Sequence, residues 1–190
     1  MSSVILVSAM QKDIIFEDRP NTAGPLGTKI VPNIRKLVQA ARRNSIPVLY
    51  LNENHFPDDP MVIAMGRPQH CIQGTEGYEI MDELAPEKGD FIVNKRKLTG
   101  FFGTDLNIIL KDALKVDTIV MTGVLLGFGM YGTILEATQF GYGIIIPTDC
   151  ATDRTEERGK WVLELLGFLH DVHIKTSDEL IDKMSSGAFK

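Results

Sequence analysis

Two cysteines in 190 residues are too few for a disulfide framework. Cys71 and Cys150 could form at most one bridge, a bond unusual in a reducing cytosol, so both read as thiols. Charge of one sign is scarce too: the net charge is −5, with no block of five like charges. That leaves no phosphate-neutralising surface for nucleic acid. Long apolar runs are absent, none approaching the roughly eighteen residues of a membrane span, and the amino terminus lacks the parts of a signal peptide. A cytoplasmic protein with neither nucleic-acid nor membrane partners is expected. One absence is local. The glycine-rich turn Gly123-Val124-Leu125-Leu126-Gly127-Phe128-Gly129-Met130-Tyr131-Gly132-Thr133 holds no Cys, Ser, Asp or His. The position best placed for a nucleophile therefore carries only backbone.

What is present is enough for one core. With 44% hydrophobic residues, the chain is too short for two comfortable domains, and a single domain over residues 1–190 is expected. Apolar runs alternate with stretches of helical period, a pattern of crossover units around a mostly parallel sheet. The strands predicted are Val4–Ser8, Pro47–Leu51, Asp90–Asn94, Thr118–Thr122, Tyr142–Pro147 and Val172–Ile174. Ile34, Leu37, Val38 and Ala41 place a helix over Val31 to Arg43, stopped by Asn44 and Ser45. A second helix opens at Thr104-Asp105 and runs to about Leu114. Asp153 to Glu156 and Thr176 to Glu179 both have capping-box spacing. Between Asn52 and Lys88 lie Pro57, Pro60 and Pro68 with little periodicity, and long irregular segments in compact domains are often functional loops. Buried packing is the default for Cys150, and packing or subunit contact for Phe101 and Phe102.

Four ordered pieces share one pattern. They are Val7-Ser8-Ala9-Met10-Gln11-Lys12-Asp13, His70-Cys71-Ile72-Gln73-Gly74-Thr75, Lys95 followed by Thr99-Gly100-Phe101-Phe102-Gly103-Thr104-Asp105-Leu106, and Gly123-Val124. Together they make the chain similar to the isochorismatase-like cysteine hydrolases, the family of nicotinamidase and N-carbamoylsarcosine amidase. The resemblance spans nearly the whole sequence. It implies an α/β fold, a six-stranded mostly parallel sheet with helices on both faces, usually in homo-oligomers.

The resemblance also implies a site, and here the chain departs from its pattern. Family amidases use an Asp to take the thiol proton, a Lys to favour the ionised partners, and a Cys to attack a carbonyl. A thiol of ordinary pKa, about 8.5, is mostly protonated at neutral pH and needs that help. The Asp position is Ala9, the Lys position Lys95 and the Cys position Gly129, while the Thr usual three residues earlier is Leu126. Isochorismatases replace the Cys with Gly and keep the Asp as acid, but the methyl of Ala9 can neither donate nor accept a proton. Asp13 matches a different, structural Asp. Beside Ala9, Lys95 is expected to lose its usual counter-charge and become free to hold an anion. On residue type alone, a lysine in the basic run Lys95-Arg96-Lys97 would be solvated. The matched motif puts it in a pocket, with Leu126, Gly129 and Tyr131 as further ligand contacts.

Metal-binding relatives carry an Asp-x-His and a later His. Glu53, His55 and His70 stand in those places, an imidazole pair and a carboxylate suited to zinc, iron or manganese. No further His occurs near Met61. The default expectation is no cofactor, with a divalent metal as the alternative. Three functions remain open: a pocket that binds a small anionic or carbonyl-containing molecule without cysteine-amidase turnover, a hydrolase acting through metal-activated water, and a structural or regulatory oligomer subunit.

Overall fold

The computed structural model describes residues 2–19, 23–187 and 189. Six parallel strands form one sheet in the order β3-β2-β1-β4-β5-β6. They are β1 (Ser3–Ser8), β2 (Val48–Glu53), β3 (Phe91–Lys95), β4 (Thr118–Gly123), β5 (Gly143–Pro147) and β6 (Val172–Lys175). Each coincides with a predicted strand to within a residue or two. β1, β2 and β4 are near-continuous apolar runs because both of their faces are covered.

One face packs against α1 (Lys12–Ile15), α2 (Gly24–Arg43) and α7 (Ser177–Ser185), through Ile5, Val7, Tyr50, Ile34, Leu37 and Leu180. The other packs against α4 (Leu106–Ile108) with the helical turn that continues it to Ala113, α5 (Tyr131–Gln139) and α6 (Glu156–Gly167), through Leu49, Leu51, Leu106, Ile134, Val162 and Leu166. A short helix, α3 (Pro60–Ala64), interrupts the long irregular stretch. Among the described residues, no helix is long and apolar enough to cross a membrane.

Two helix starts differ from expectation. α2 begins at Gly24, seven residues before the predicted Val31, with a proline in its opening turn and Pro32 carried inside it. Apolar Gly27 and Ile30 extend its buried stripe over the sheet, and that packing outweighs the hydrogen bond Pro32 cannot donate. α6 is capped by Thr155, whose side chain accepts from the Arg158 amide at 3.2 Å, not by Asp153. Asp153 is fully buried and turns back to the glycine-rich loop, accepting from the Gly127 and Arg154 amides and pairing with Arg158. The Thr176–Glu179 capping box forms on α7 as its spacing predicts.

Candidate functional site

In parallel α/β sheets, side chains at the carboxyl ends of strands face a common edge. β2 and β3 pair in parallel so that Glu53, the last residue of β2, lies beside Lys95, the last of β3. Their side chains meet: Lys95 Nζ is 3.2 Å from Glu53 Oε1, with the Lys97 carbonyl at 3.4 Å as a second acceptor. Lys95 is 3% exposed, so it is not the solvated lysine its basic neighbours suggest. Nor does it lack a counter-charge. Glu53, from the adjacent strand, supplies the carboxylate that position 9 does not.

Gln11, at the start of α1 just past β1, fixes this arrangement. Its amide nitrogen donates to the Glu53 carbonyl at 2.9 Å and its amide oxygen accepts from the Glu53 N–H at 2.7 Å. The backbone that delivers Glu53 is thus held by two side-chain bonds. Asp13, in the next turn, accepts from the Cys71 amide at 2.9 Å and so ties down the loop that carries His70.

The other oxygen of Glu53 faces two imidazoles. Glu53 Oε2 is 3.2 Å from His70 Nε2 and 3.5 Å from His55 Nε2, with the rings 4.8 Å apart. The remaining nitrogens are engaged: His55 Nδ1 with Asp59 Oδ2 at 3.2 Å, and His70 Nδ1 with the Pro68 carbonyl at 2.8 Å. Burial alone would raise the Glu53 pKa. The Lys95 charge and the His55 and His70 hydrogen bonds outweigh it and hold the carboxyl well below its usual range. For His70, burial lowers the pKa, but the bonds to Glu53 and Pro68 win and raise it. Asp59 caps α3 by accepting from the Met61 amide at 2.9 Å. The Asp59-Pro60 pair is a helix-start signal legible in the sequence, and it would have identified this partner of His55.

These three residues fit a divalent ion. Their ligand atoms lie within 4.8 Å of one another, and neighbouring ligands of a tetrahedral zinc at bonds of about 2.0–2.1 Å stand about 3.3 Å apart. With both Nδ1 atoms held by acceptors, both Nε2 atoms would be the ones to bind an ion, the orientation metal-binding histidines use.

A cavity of about 60 Å³ opens over this cluster, room for a few waters or a ligand of a few heavy atoms. Its charges come from Glu53, Lys95, Arg67, Arg96 and Lys97, four cations against one carboxylate, and Phe128 and Leu98 lie at its wall. Arg67 rests on the Phe128 ring at 4.3 Å and Arg96 on the Phe56 ring at 4.0 Å. Among the described residues, none of Arg67, Arg96 and Lys97 is paired with a carboxylate. Arg67, Phe128, Met61 and Met65 carried no motif that marked them.

Gly129 reaches the same place from β4. A Cβ built on it would lie 3.4 Å from Lys95 Nζ and 3.5 Å from the Leu98 carbonyl. Ala9 follows β1 at the same edge with a left-handed backbone, φ 53°, but its methyl is buried in the core on the α2 face. Leu126 and Tyr131 lie elsewhere. Leu126 is fully buried and borders a separate cleft between α2 and α6, and Tyr131 packs half-buried against the α5 and α6 core. Cys71 and Cys150 are fully buried, and burial pushes both thiols far up.

Residues 3–189 match the family described as Isochorismatase domain. An isochorismatase-like hydrolase from Alkaliphilus metalliredigens superposes with a TM-score of 0.88 at 30% identity, over 96% of this chain and 98% of that one. N-carbamoylsarcosine amidase from Thermoplasma acidophilum gives 0.82 at 31%, over 94% and 98%. A probable inactive nicotinamidase of Arabidopsis thaliana is 28% identical, over 82% of this chain and 83% of its own.

Proposed function

Because the chain belongs to the isochorismatase family, we propose that it keeps the family's pocket and has lost its thiol chemistry, binding a small anionic or carbonyl-containing molecule without cysteine-dependent amidase turnover. The observation that carries this reading is the charge of the cavity, four cations and one carboxylate in a protein whose net charge is −5. Three of those cations have no carboxylate partner among the described residues. An anion entering the cavity restores balance that the protein itself leaves open.

The missing groups support the loss of turnover. Gly129 offers no nucleophile, the Ala9 methyl offers no base, and the two thiols are buried with their thiolates disfavoured. Lys95 is left to orient a ligand oxygen, with Glu53 keeping the ammonium in place. A second reading rests on the orientation of His55 and His70: a divalent ion held by Glu53, His55 and His70 would supply Lewis acidity to a bound carbonyl or water. Those three residues would be its ligands, with Lys95 bonded to Glu53 Oε1 beside them.

The test is turnover of nicotinamide and N-carbamoyl substrates by the purified protein, with and without a thiol alkylating reagent. No alkylation-sensitive turnover is expected. Robust activity abolished by alkylation defeats the proposal, and activity abolished by a chelator instead selects the metal reading.

A further inference from the structure

Glu53 is claimed from two sides. Its Oε1 lies 3.2 Å from Lys95 Nζ, while its Oε2 lies 3.2 Å from His70 Nε2 and 3.5 Å from His55 Nε2. It is the one carboxylate of the cluster that fits a divalent ion. Among the described residues it is also the only carboxylate paired with Lys95. Position 9 is the reason, since the Ala9 methyl is buried in the core and offers the ammonium nothing. Lys95 is itself buried, so solvent and salt screen its charge far less than they would at the surface. A divalent ion entering the cluster would therefore meet a carboxylate already neutralised by a buried cation.

The same ammonium is open to the cavity. Lys95 lines it together with Arg67, Arg96 and Lys97. Gly129 leaves a place free against it, because a Cβ-sized group there would sit 3.4 Å from Nζ. A carboxylate oxygen in that place would give Lys95 a second counter-charge. Glu53 would then no longer carry the ammonium alone.

We propose that Lys95 couples two ligands: its ammonium opposes a divalent ion at Glu53, His55 and His70, and a small carboxylate bound at Lys95 relieves that opposition, so that each ligand tightens the binding of the other. The inference rests on both readings of the cavity given above, the anion and the ion, and concerns how one depends on the other. Its sign follows from charge. An ion adds two positive charges to a cavity that holds four cations against one carboxylate, and an entering anion lowers that excess. In a site poorer in water than the surface these terms are larger than in bulk solvent. Linkage makes the effect reciprocal, by one factor in both directions, and couplings of this kind are typically about 5–150-fold. A carboxylate that ligated the ion directly would also tighten it, but would do so without Lys95. Removing the ammonium separates the two cases.

The experiment titrates zinc into the purified full chain by calorimetry, with cobalt(II) absorption as a second readout. It runs at one pH, because imidazole and carboxylate ligands hold an ion only when deprotonated. Wild type and Lys95→Met are compared with and without acetate, butyrate or hexanoate. Lys95→Met should bind zinc at least tenfold tighter than wild type when no carboxylate is present. At least one of the three acids should tighten zinc binding to wild type about fivefold or more and leave Lys95→Met unchanged. Lys95→Gln, whose amide can still donate to Glu53, makes the same comparison if circular dichroism shows the methionine variant unfolded, and the wild-type arm needs no substitution. Equal zinc affinity in wild type and the neutral variants, or a carboxylate effect that survives the loss of Lys95, overturns the coupling and leaves the ion reading standing. Carboxylates that bind without changing zinc affinity overturn it and leave the anion reading standing. Zinc bound by no variant under any condition defeats the ion reading and the coupling together.

Discussion

Gly129→Cys places a thiol against the Lys95 ammonium and should make it ionise below its free value. The built Cβ lies 3.4 Å from Nζ and 3.8 Å from Cε, both ordinary contacts, so a Cβ fits there beside the lysine. At about 4 Å and an effective dielectric near 20, thiolate and ammonium attract by about 4 kcal/mol, close to three pKa units. Glu53, 3.2 Å from the same nitrogen, repels the thiolate and cancels part of this. The net expectation is a thiol about one to two units below the ordinary value of about 8.5. Leaving Ala9 in place avoids a carboxylate in a core position of left-handed backbone. The assay is the rate of iodoacetamide alkylation against pH in the native protein, where buried Cys71 and Cys150 stay silent. Adding Lys95→Gln should return the midpoint to the free value or above. A new thiol that titrates like free cysteine and ignores Lys95 would refute the assignment of Gly129 and Lys95 to one site.

Breaking the Glu53–Lys95 pair from one side should be costly, because Lys95 is buried and the Glu53 side chain is only 12% exposed. Lys95→Met is expected to lose about 3–5 kcal/mol, seen in urea denaturation, whereas Glu53→Gln with Lys95→Met should lose less than the sum of the singles. The raised pKa of His70 contributes stability that is full below its ordinary 6.5 and is lost as pH rises through the folded value. With chelator present, the melting temperature should therefore fall above pH 6.5 in wild type, and that slope should vanish in His70→Gln. The lowered Glu53 pKa works oppositely: its stabilisation is present above the ordinary carboxylate range and lost only as pH falls through the depressed value, so Glu53→Gln should flatten the acid limb. At Gly77 an added Cβ would sit 2.0 Å from Asp13 Oδ2, so Gly77→Ala should free the Cys71 amide and destabilise by about 1–3 kcal/mol. An unchanged melting temperature there would show that Asp13 does not anchor the loop.

The fold was legible because its signals are local. β1, β2, β4 and β5 are largely apolar runs between turn residues, and the Thr176 box needs only four positions. Asp153 resembled a second box because its spacing to Glu156 is right, yet a fully buried carboxylate serves the amides that most need it, here in the glycine-rich turn. The site was legible in its members and not in its pairings. Lys95, Gly129, Glu53, His55 and His70 could be named from motifs, but the Glu53–Lys95 contact joins residues 42 apart. It depends on the register of β2 against β3, which the sequence of neither strand specifies alone. For the same reason the motif points to position 9 for the counter-charge, when the neighbouring strand supplies it. Spacing along the turn from Gly123 points Leu126 and Tyr131 at the pocket only if the turn is regular. The turn is irregular, with Phe128 at φ −136° and ψ −106°, and such a backbone sends Phe128 to the cavity and Leu126 to the core.

Anion binding at the Lys95 cavity is best tested by calorimetric titration of the purified protein with small carboxylates of two to six carbons and their neutral amides. The account predicts 1:1 binding of at least one carboxylate. Its affinity should exceed that of the matching amide, fall with ionic strength, and weaken at least tenfold in the Arg96→Gln, Lys97→Gln double variant. Carboxylate and amide binding equally, or a carboxylate indifferent to loss of both cations, would contradict it.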